Sequence, residues 1–263
     1  LRAGHFSISL NRVAVTLGRL DREAEAIPHT TEAIALTRQL VALHEGRLAL
    51  NLSNLTISLF DGEEWDRALP VAEEAWEIRR RLAATDPELR DEAVLDANQL
   101  RTILNRLDRP GQIQRVSEAV VGYERALLAD DPARLPEFAD AVRMLGNSLV
   151  AEGRVPEGKA RWYESLELQR RFSENNDDGR SGYAAACEAV GHSLGRLRHA
   201  EESLTVHRDG LAVRRTLAAS DTRHHEQLVR ALASAAARLN RSEQPELARQ
   251  FAAKGPSAVP RAP

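Results

Sequence analysis

Leu17, Leu59, Leu104, Leu149, Leu194 and Leu239 recur at spacings of 42, 45, 45, 45 and 45 residues. A period of that length, held over six occurrences, dictates a repeat architecture in which no single unit can bury its apolar side alone. Four residues before each leucine stand Val13, Leu55, Leu100, Leu145, Val190 and Ala235; three before those stand Leu10, Leu52, Ala97, Val142, Cys187 and Leu232. Apolar residues at i, i+3 and i+7 make one face of an α-helix, so every repeat opens with an amphipathic helix.

Further columns follow in the first five repeats. Glu32-Ala33-Ile34, Glu74-Ala75-Trp76, Glu118-Ala119-Val120, Glu164-Ser165-Leu166 and Asp209-Gly210-Leu211 share the order acid, small, apolar. Leu36, Ile78, Gly122, Leu168 and Val213 come next, then Leu40, Leu82, Ala126, Phe172 and Leu217. These define a second helix per repeat, with a small residue where backbones must approach closely. Gly18, Asp61-Gly62, Pro110-Gly111, Gly153 and Gly195 mark turns within repeats, and Asp86-Pro87, Asp131-Pro132 and Asn176 to Gly179 mark turns between them.

First helices are expected at 4–18, 47–60, 89–106, 134–151, 180–195 and 223–239, and second helices at 21–43, 64–84, 111–129, 156–174, 198–219 and 244–253. The expected fold is all-α: about twelve helices in one solenoid over residues 1–254, with repeats near 4–43, 47–84, 89–129, 134–174, 180–219 and 223–253. The Ala-rich sixth repeat reads as a terminal cap, and residues 255–263, all Gly, Pro, Ser, Ala, Val and Arg, read as a disordered tail. Abundant Ala and Leu with 4% aromatic residues agree with helix over sheet.

Asn54-Leu55 in a first helix, with EAWEIRRRLAATDPE from Glu74, ESLELQRRF from Glu164 and DGLAVRRTL from Asp209 in second helices, resembles the tetratricopeptide repeat (TPR) family. The similarity is to its longer, 42-residue variety found in kinesin light chains and in regulators of high-GC bacteria. It covers about residues 5–253 and implies a right-handed superhelical solenoid that binds protein or peptide in a concave groove lined by first helices. The small residue after the second apolar column stands as Ala14, Gly146, Gly191 and Ala236, but Thr56 and Arg101 depart from it. Gly122 and Ala126 make the core of the third repeat the one expected to be least filled.

First-helix positions left over from the core columns then line the groove. Asn11, Val15, Leu50, Ser53, Ile57, Phe60, Asn98, Thr102 and Asn105, extended by Ile8 and Leu95, make an apolar, amide-bearing N-terminal half. Arg143, Asn147, Glu188, His192, Arg196 and Arg241, extended by Asp140 and Arg230, make a charged C-terminal half. The two basic residues and one amide that clamp a terminal carboxylate in some relatives have no match here, so no preference for a free C-terminus is expected.

Catalytic chemistry finds no footing. The eight histidines show no HxxxH spacing, the one cysteine, Cys187, falls in an apolar column, and neither a nucleophile elbow nor a phosphate loop occurs. No enzyme activity, cofactor or metal is expected. Arg38, Arg80, Arg170 and Arg215 form a column late in second helices and read as surface ion-pairing residues, as do the pairs Glu77 with Arg81 and Glu167 with Arg171. A formal charge of −3 and a pI near 6.3 give no general attraction to nucleic acid or anionic membranes. No apolar run reaches the length of a membrane span. One cysteine and no apolar leader fit a cytoplasmic setting. Only Lys159 and Lys254 are lysine among 36 basic residues, a skew expected of a high-GC genome. The start at Leu1, close to the first repeat, suggests a segment of a longer protein. The alternative role to a free scaffold is therefore a regulatory or sensor segment of a multidomain signalling or transcription protein.

Overall fold

A computed structural model describes residues 2–20, 22–38, 41–174 and 177–241. Among them lie eleven α-helices and no strand: α1 (Arg2–Gly18), α2 (Glu23–Arg38), α3 (Val41–Asp61), α4 (Trp65–Thr85), α5 (Arg90–Arg106), α6 (Pro110–Asp130), α7 (Leu135–Ala151), α8 (Val155–Ser173), α9 (Asp177–Arg196), α10 (Ala200–Ser220) and α11 (His225–Arg241). Two compact units result. The first comprises α1–α6 with residues 151–153, the second the rest of α7 with α8–α11. The helix expected at 244–253 and the tail at 255–263 fall outside the described residues.

The leucine column marks where the first helices of the first five repeats stop. The carbonyls of Leu17, Leu59, Leu104, Leu149 and Leu194 accept from the backbone N–H of Arg22, Glu64, Arg109, Arg154 and His199 at 2.8–3.0 Å. In four of these turns the residue just before the donor is left-handed: Glu63 (φ 56°), Asp108 (53°), Gly153 (82°) and Arg198 (63°). Together these make the 6→1 bond and left-handed residue of a Schellman stop. Among the described residues only Gly153 occupies the left-handed position; Gly62 precedes it by one residue, Gly195 precedes it by three and Gly111 follows it by three. Between repeats, Asp86 and Asp221 each accept at their carboxylate from the N–H two residues on, at 3.1 and 2.9 Å, starting a single 3₁₀ turn.

The core columns fill as their period requires. Leu52, Leu59, Leu100, Leu104, Val142, Cys187, Val190 and Leu194 are almost wholly buried. Small residues set the close approaches. A Cβ on Gly210 would lie 2.8 Å from Cys187 Cβ, one on Gly146 2.6 Å from the Trp162 ring, and one on Gly191 2.8 Å from the His207 ring. Trp162 and His207 each stand sixteen residues after their glycine. Where Thr56 and Arg101 replace glycine, the residues sixteen on are the small Ala72 and Ser117. Volume is thus exchanged between the two helices of a repeat, which explains how the departures in the second and third repeats are accommodated.

Four sequence expectations are corrected. Val13 is 45% exposed and Ala14 takes the core position, because α1 packs on α2 and α3, whereas α3, α5 and α9 each have a second helix on both sides. The first helix of the second repeat begins at Val41, not 47: Val41 to Glu45 contains no breaker, and Gly46 is carried inside α3. Gly122 is exposed with nothing within 4 Å, so it leaves no void in the third repeat, whose second helix buries Val116, Val120 and Val121 instead. Ser53, Asn147 and Phe60 are absorbed into the packing, as described below.

One column escaped the apolar pattern. Thr37, Arg79, Glu124, Gln169 and Arg214, at spacings of 42, 45, 45 and 45, are all buried and polar. Thr37 shares hydrogen bonds with Ser7 (2.6 Å) and Asn51 (3.1 Å), joining α1, α2 and α3. Arg79 meets Asp96 of α5 at 3.3 Å, and Ser53 of α3 donates to the same carboxylate at 2.5 Å. Burial raises the Asp96 carboxyl, against the lowering influence of Ser53 and Arg79. Arg214 reaches Glu188 and Ser181 of α9, both at 3.1 Å, and Gln227 of α11 at 2.7 Å. In these three repeats the polar residue ties its own first helix to that of the next repeat. It fixes register where apolar contacts alone would permit sliding.

Candidate functional site

In the first unit, α1, α3 and α5 present one stripe each. Ile8 and Val15, Leu50 and Ile57, and Leu95 and Thr102 are i, i+7 pairs, equivalent to one another at offsets of 42 and 45 residues. Five of the six are apolar, and their exposure runs from 37 to 62%. Covered side chains of this size would each contribute about 1.5–3 kcal/mol, so exposing five on one face opposes their chemistry unless something docks there.

The amides beside them are partly engaged. Asn54 Nδ2 donates to Asn11 Oδ1 across α1 and α3 at 3.0 Å, and Arg101 donates to Asn98 Oδ1 at 3.1 Å. Thr102 and Asn105 are exposed. Ser53 is not on the surface at all: its hydroxyl is turned inward to Asp96. Phe60 belongs to the α3–α4 turn, edge-on to Trp65 with ring centroids 4.8 Å apart, and the Arg106 guanidinium lies 5.5 Å over the same indole. Helical spacing put Phe60 beside Ile57; the tryptophan across the turn captures it.

The equivalent positions of the second unit differ in kind. Asp140 and Arg143 pair with one another, Glu188 is held by Arg214, and Arg230 by Glu226. Asn147 accepts from the buried Trp162 Nε1 at 2.9 Å, so its amide oxygen serves the core rather than a ligand. His192 and Arg196 are exposed on α9, and the side chain of Arg241 lies outside the described residues. Spacing within one helix does not reveal Trp162's demand on Asn147, because the two lie on different helices.

Elsewhere, Arg38, Arg80 and Arg170 are paired with Glu74, Glu77 and Glu167, which leaves three of that column's four guanidiniums occupied. Arg171 reaches Glu167, whereas Arg81 reaches Glu45 on α3 rather than Glu77. Cys187 is fully buried, and burial pushes its thiol up to about 12, which removes thiolate chemistry at neutral pH. Among the described residues no three His, Cys, Asp or Glu side chains gather as a metal site would require, and no helix is long and apolar enough to cross a membrane.

Paired helices, a Schellman stop in four repeats and a recurrent small-residue crossing define a helical repeat of the TPR type. Solved structures agree at the level of fold. A Podosopora anserina protein assigned as a kinesin light chain, with nearly identical TPR-like repeats, matches with a TM-score of 0.63 at 13% identity, over 83% of this chain and 98% of that one. BtubC (BKLC) from P. vanneervenii matches with a TM-score of 0.57 at 16% identity, over 92% and 95%. The apo form of RapI matches with a TM-score of 0.53 at 9% identity, over 94% and 80%. No protein-family model and no curated protein matches the chain.

Proposed function

We propose that this chain is a protein-binding repeat scaffold that takes an extended or helical peptide on the first-helix face of its N-terminal unit. The exposed row of Ile8, Val15, Leu50, Ile57 and Leu95 on α1, α3 and α5 carries the reading. Apolar anchors from a peptide would sit on these side chains, while Thr102, Asn105 and the half-buried Asn11 and Asn98 bond its backbone. At the corresponding positions the second unit carries Asp140, Asn147, Ala185, His192 and Arg230, a mostly polar set without the apolar row of the first. The TPR-type fold supports a scaffold role as well, since a stack of rigid helices presents such a face without a loop to order.

Selection from a displayed random-peptide library, followed by fluorescence anisotropy of the selected peptide, tests this. Leu50→Ser, Ile57→Ser and Leu95→Ser combined should weaken binding by about 1–3 kcal/mol per anchor engaged while leaving the helical content intact. Unchanged affinity in a folded triple variant would remove the face from consideration.

A further inference from the structure

The second unit carries a different concavity, on the opposite class of helix. Between the second helices α8 and α10 runs an open trough of about 460 Å³, floored by Leu166, Val206 and Tyr183, with Tyr163 on one wall. Its rim holds four carboxylates, Glu167, Glu201, Glu202 and Asp209, and one guanidinium, Arg170. Glu167 is taken by Arg170 and Arg171. Glu202 is taken by Lys159 at 2.7 Å, and Tyr163 donates its hydroxyl to the same carboxylate at 2.6 Å, which stands the tyrosine ring up as a wall. Glu201 and Asp209 form no ion pair among the described residues. They are two turns apart on one stripe of α10, about 12 Å along its axis.

The chain supplies its own comparison. Ninety residues earlier, the cleft between α4 and α6 is lined by the equivalent Glu73, Trp76, Glu77, Gln112, Arg115 and Val116, and holds about 190 Å³. There Gln112 stands in place of Glu202 and bonds Glu73 at 3.3 Å, while Arg115 stands in place of Thr205 and helps hold the Glu77 carboxyl below its usual range after Arg80 and Arg81. That cleft answers its own charge. The α8–α10 trough does not, and it is the larger.

We infer that the α8–α10 trough binds an extended organic cation, its alkyl chain laid on Leu166, Val206 and the two tyrosine rings and its positive groups met by Glu201 and Asp209. Aromatic rings favour cations, as do exposed carboxylates that hold no ion pair and stand beside an apolar floor. An anion would meet repulsion at both ends, and a neutral ligand would leave both carboxylates uncompensated. The ammonium or guanidinium groups come either from a free linear polyamine or from basic side chains of an extended peptide.

Isothermal titration calorimetry of the full chain separates these sources. Spermidine is the first probe and an acetylated, amidated peptide with two arginines four residues apart is the second. The inference predicts saturable binding of at least one, weakened at least tenfold in Glu201→Gln/Asp209→Asn and likewise in Tyr163→Leu. A control with the same charge change, Asp66→Asn/Glu88→Gln on the first unit, should bind as the parent does. Spermidine alone saturating assigns a small-molecule site; the peptide alone saturating assigns a partner's side chains. No saturable binding of either probe overturns the inference. Equal binding by the Glu201/Asp209 variant, or an equal loss in the Asp66/Glu88 control, does so too.

Discussion

Alanine in place of Gly146 would set two opposing effects against each other at one site. In the interior of a helix, Gly→Ala is worth about 1 kcal/mol in favour of alanine. The new methyl, however, would lie 2.6 Å from Trp162 Cδ1 and 2.8 Å from the Gly158 carbonyl oxygen. The indole is held by its bond to Asn147, and the carbonyl belongs to the α8 backbone, so neither can yield by a simple rotamer change. Overpacking a filled site costs about 1–3 kcal/mol, and two obstructions put this case at the upper end. Net destabilisation of about 1–2 kcal/mol follows from the difference. Gly122→Ala supplies the opposite case: it also lies inside a helix, but nothing stands within 4 Å. There only the propensity gain of about 0.5–1 kcal/mol remains. Urea unfolding followed by far-ultraviolet circular dichroism and tryptophan fluorescence measures both. Stabilisation by Gly146→Ala of the same size as by Gly122→Ala would refute the close α7–α8 crossing and the exchange of volume derived from it.

Three further outcomes follow. Arg198→Gly should stabilise by about 0.5–1 kcal/mol, by relieving a left-handed residue, and Gly153→Ala should cost about 1 kcal/mol at the equivalent turn; thermal unfolding checks both signs. Cys187 should stay unmodified by a thiol reagent in the native protein and react at the rate of unfolding, which stopped-time labelling with mass spectrometry resolves. The Glu202 carboxyl is pulled down to about 2 by Lys159, then Tyr163 and His199. Its folded value lies below its unfolded one, so its stabilisation is present above pH 4.5 and lost as the pH falls toward about 2. Glu202→Gln should accordingly show a flatter loss of stability across that window in acid titrations.

The repeat, the helix pairs and most of the core were legible in the sequence because period alone carries them. Leu104 needs no partner identified to be read as buried; its five equivalents suffice. What failed was whatever depended on a particular neighbour. Val13 satisfies the period, yet among the described residues α1 packs on α2 and α3 only, and neither covers it. Glu63, Asp108 and Arg198 sit in left-handed turns that glycine would have announced, and the nearest glycines, Gly62, Gly111 and Gly195, stand one to three residues away. The buried polar column from Thr37 to Arg214 was hidden because a search for apolar stripes passes over it, although its spacing is as regular as that of the leucines. Ile57 and Leu95 fall outside the core columns and are exposed. Ser53, Phe60 and Asn147 were not surplus, since Asp96, Trp65 and Trp162 claim them across helix boundaries that spacing within one helix cannot reveal.

The scaffold reading is tested most directly by methyl nuclear magnetic resonance of the Ile, Leu and Val side chains during titration with a peptide selected on the full chain. The account predicts that the methyl signals of Ile8, Val15, Leu50, Ile57 and Leu95 move together and saturate at one affinity, while those of Leu166 and Val229 in the second unit stay in place. Binding that leaves those five unmoved and shifts second-unit methyls instead would contradict it.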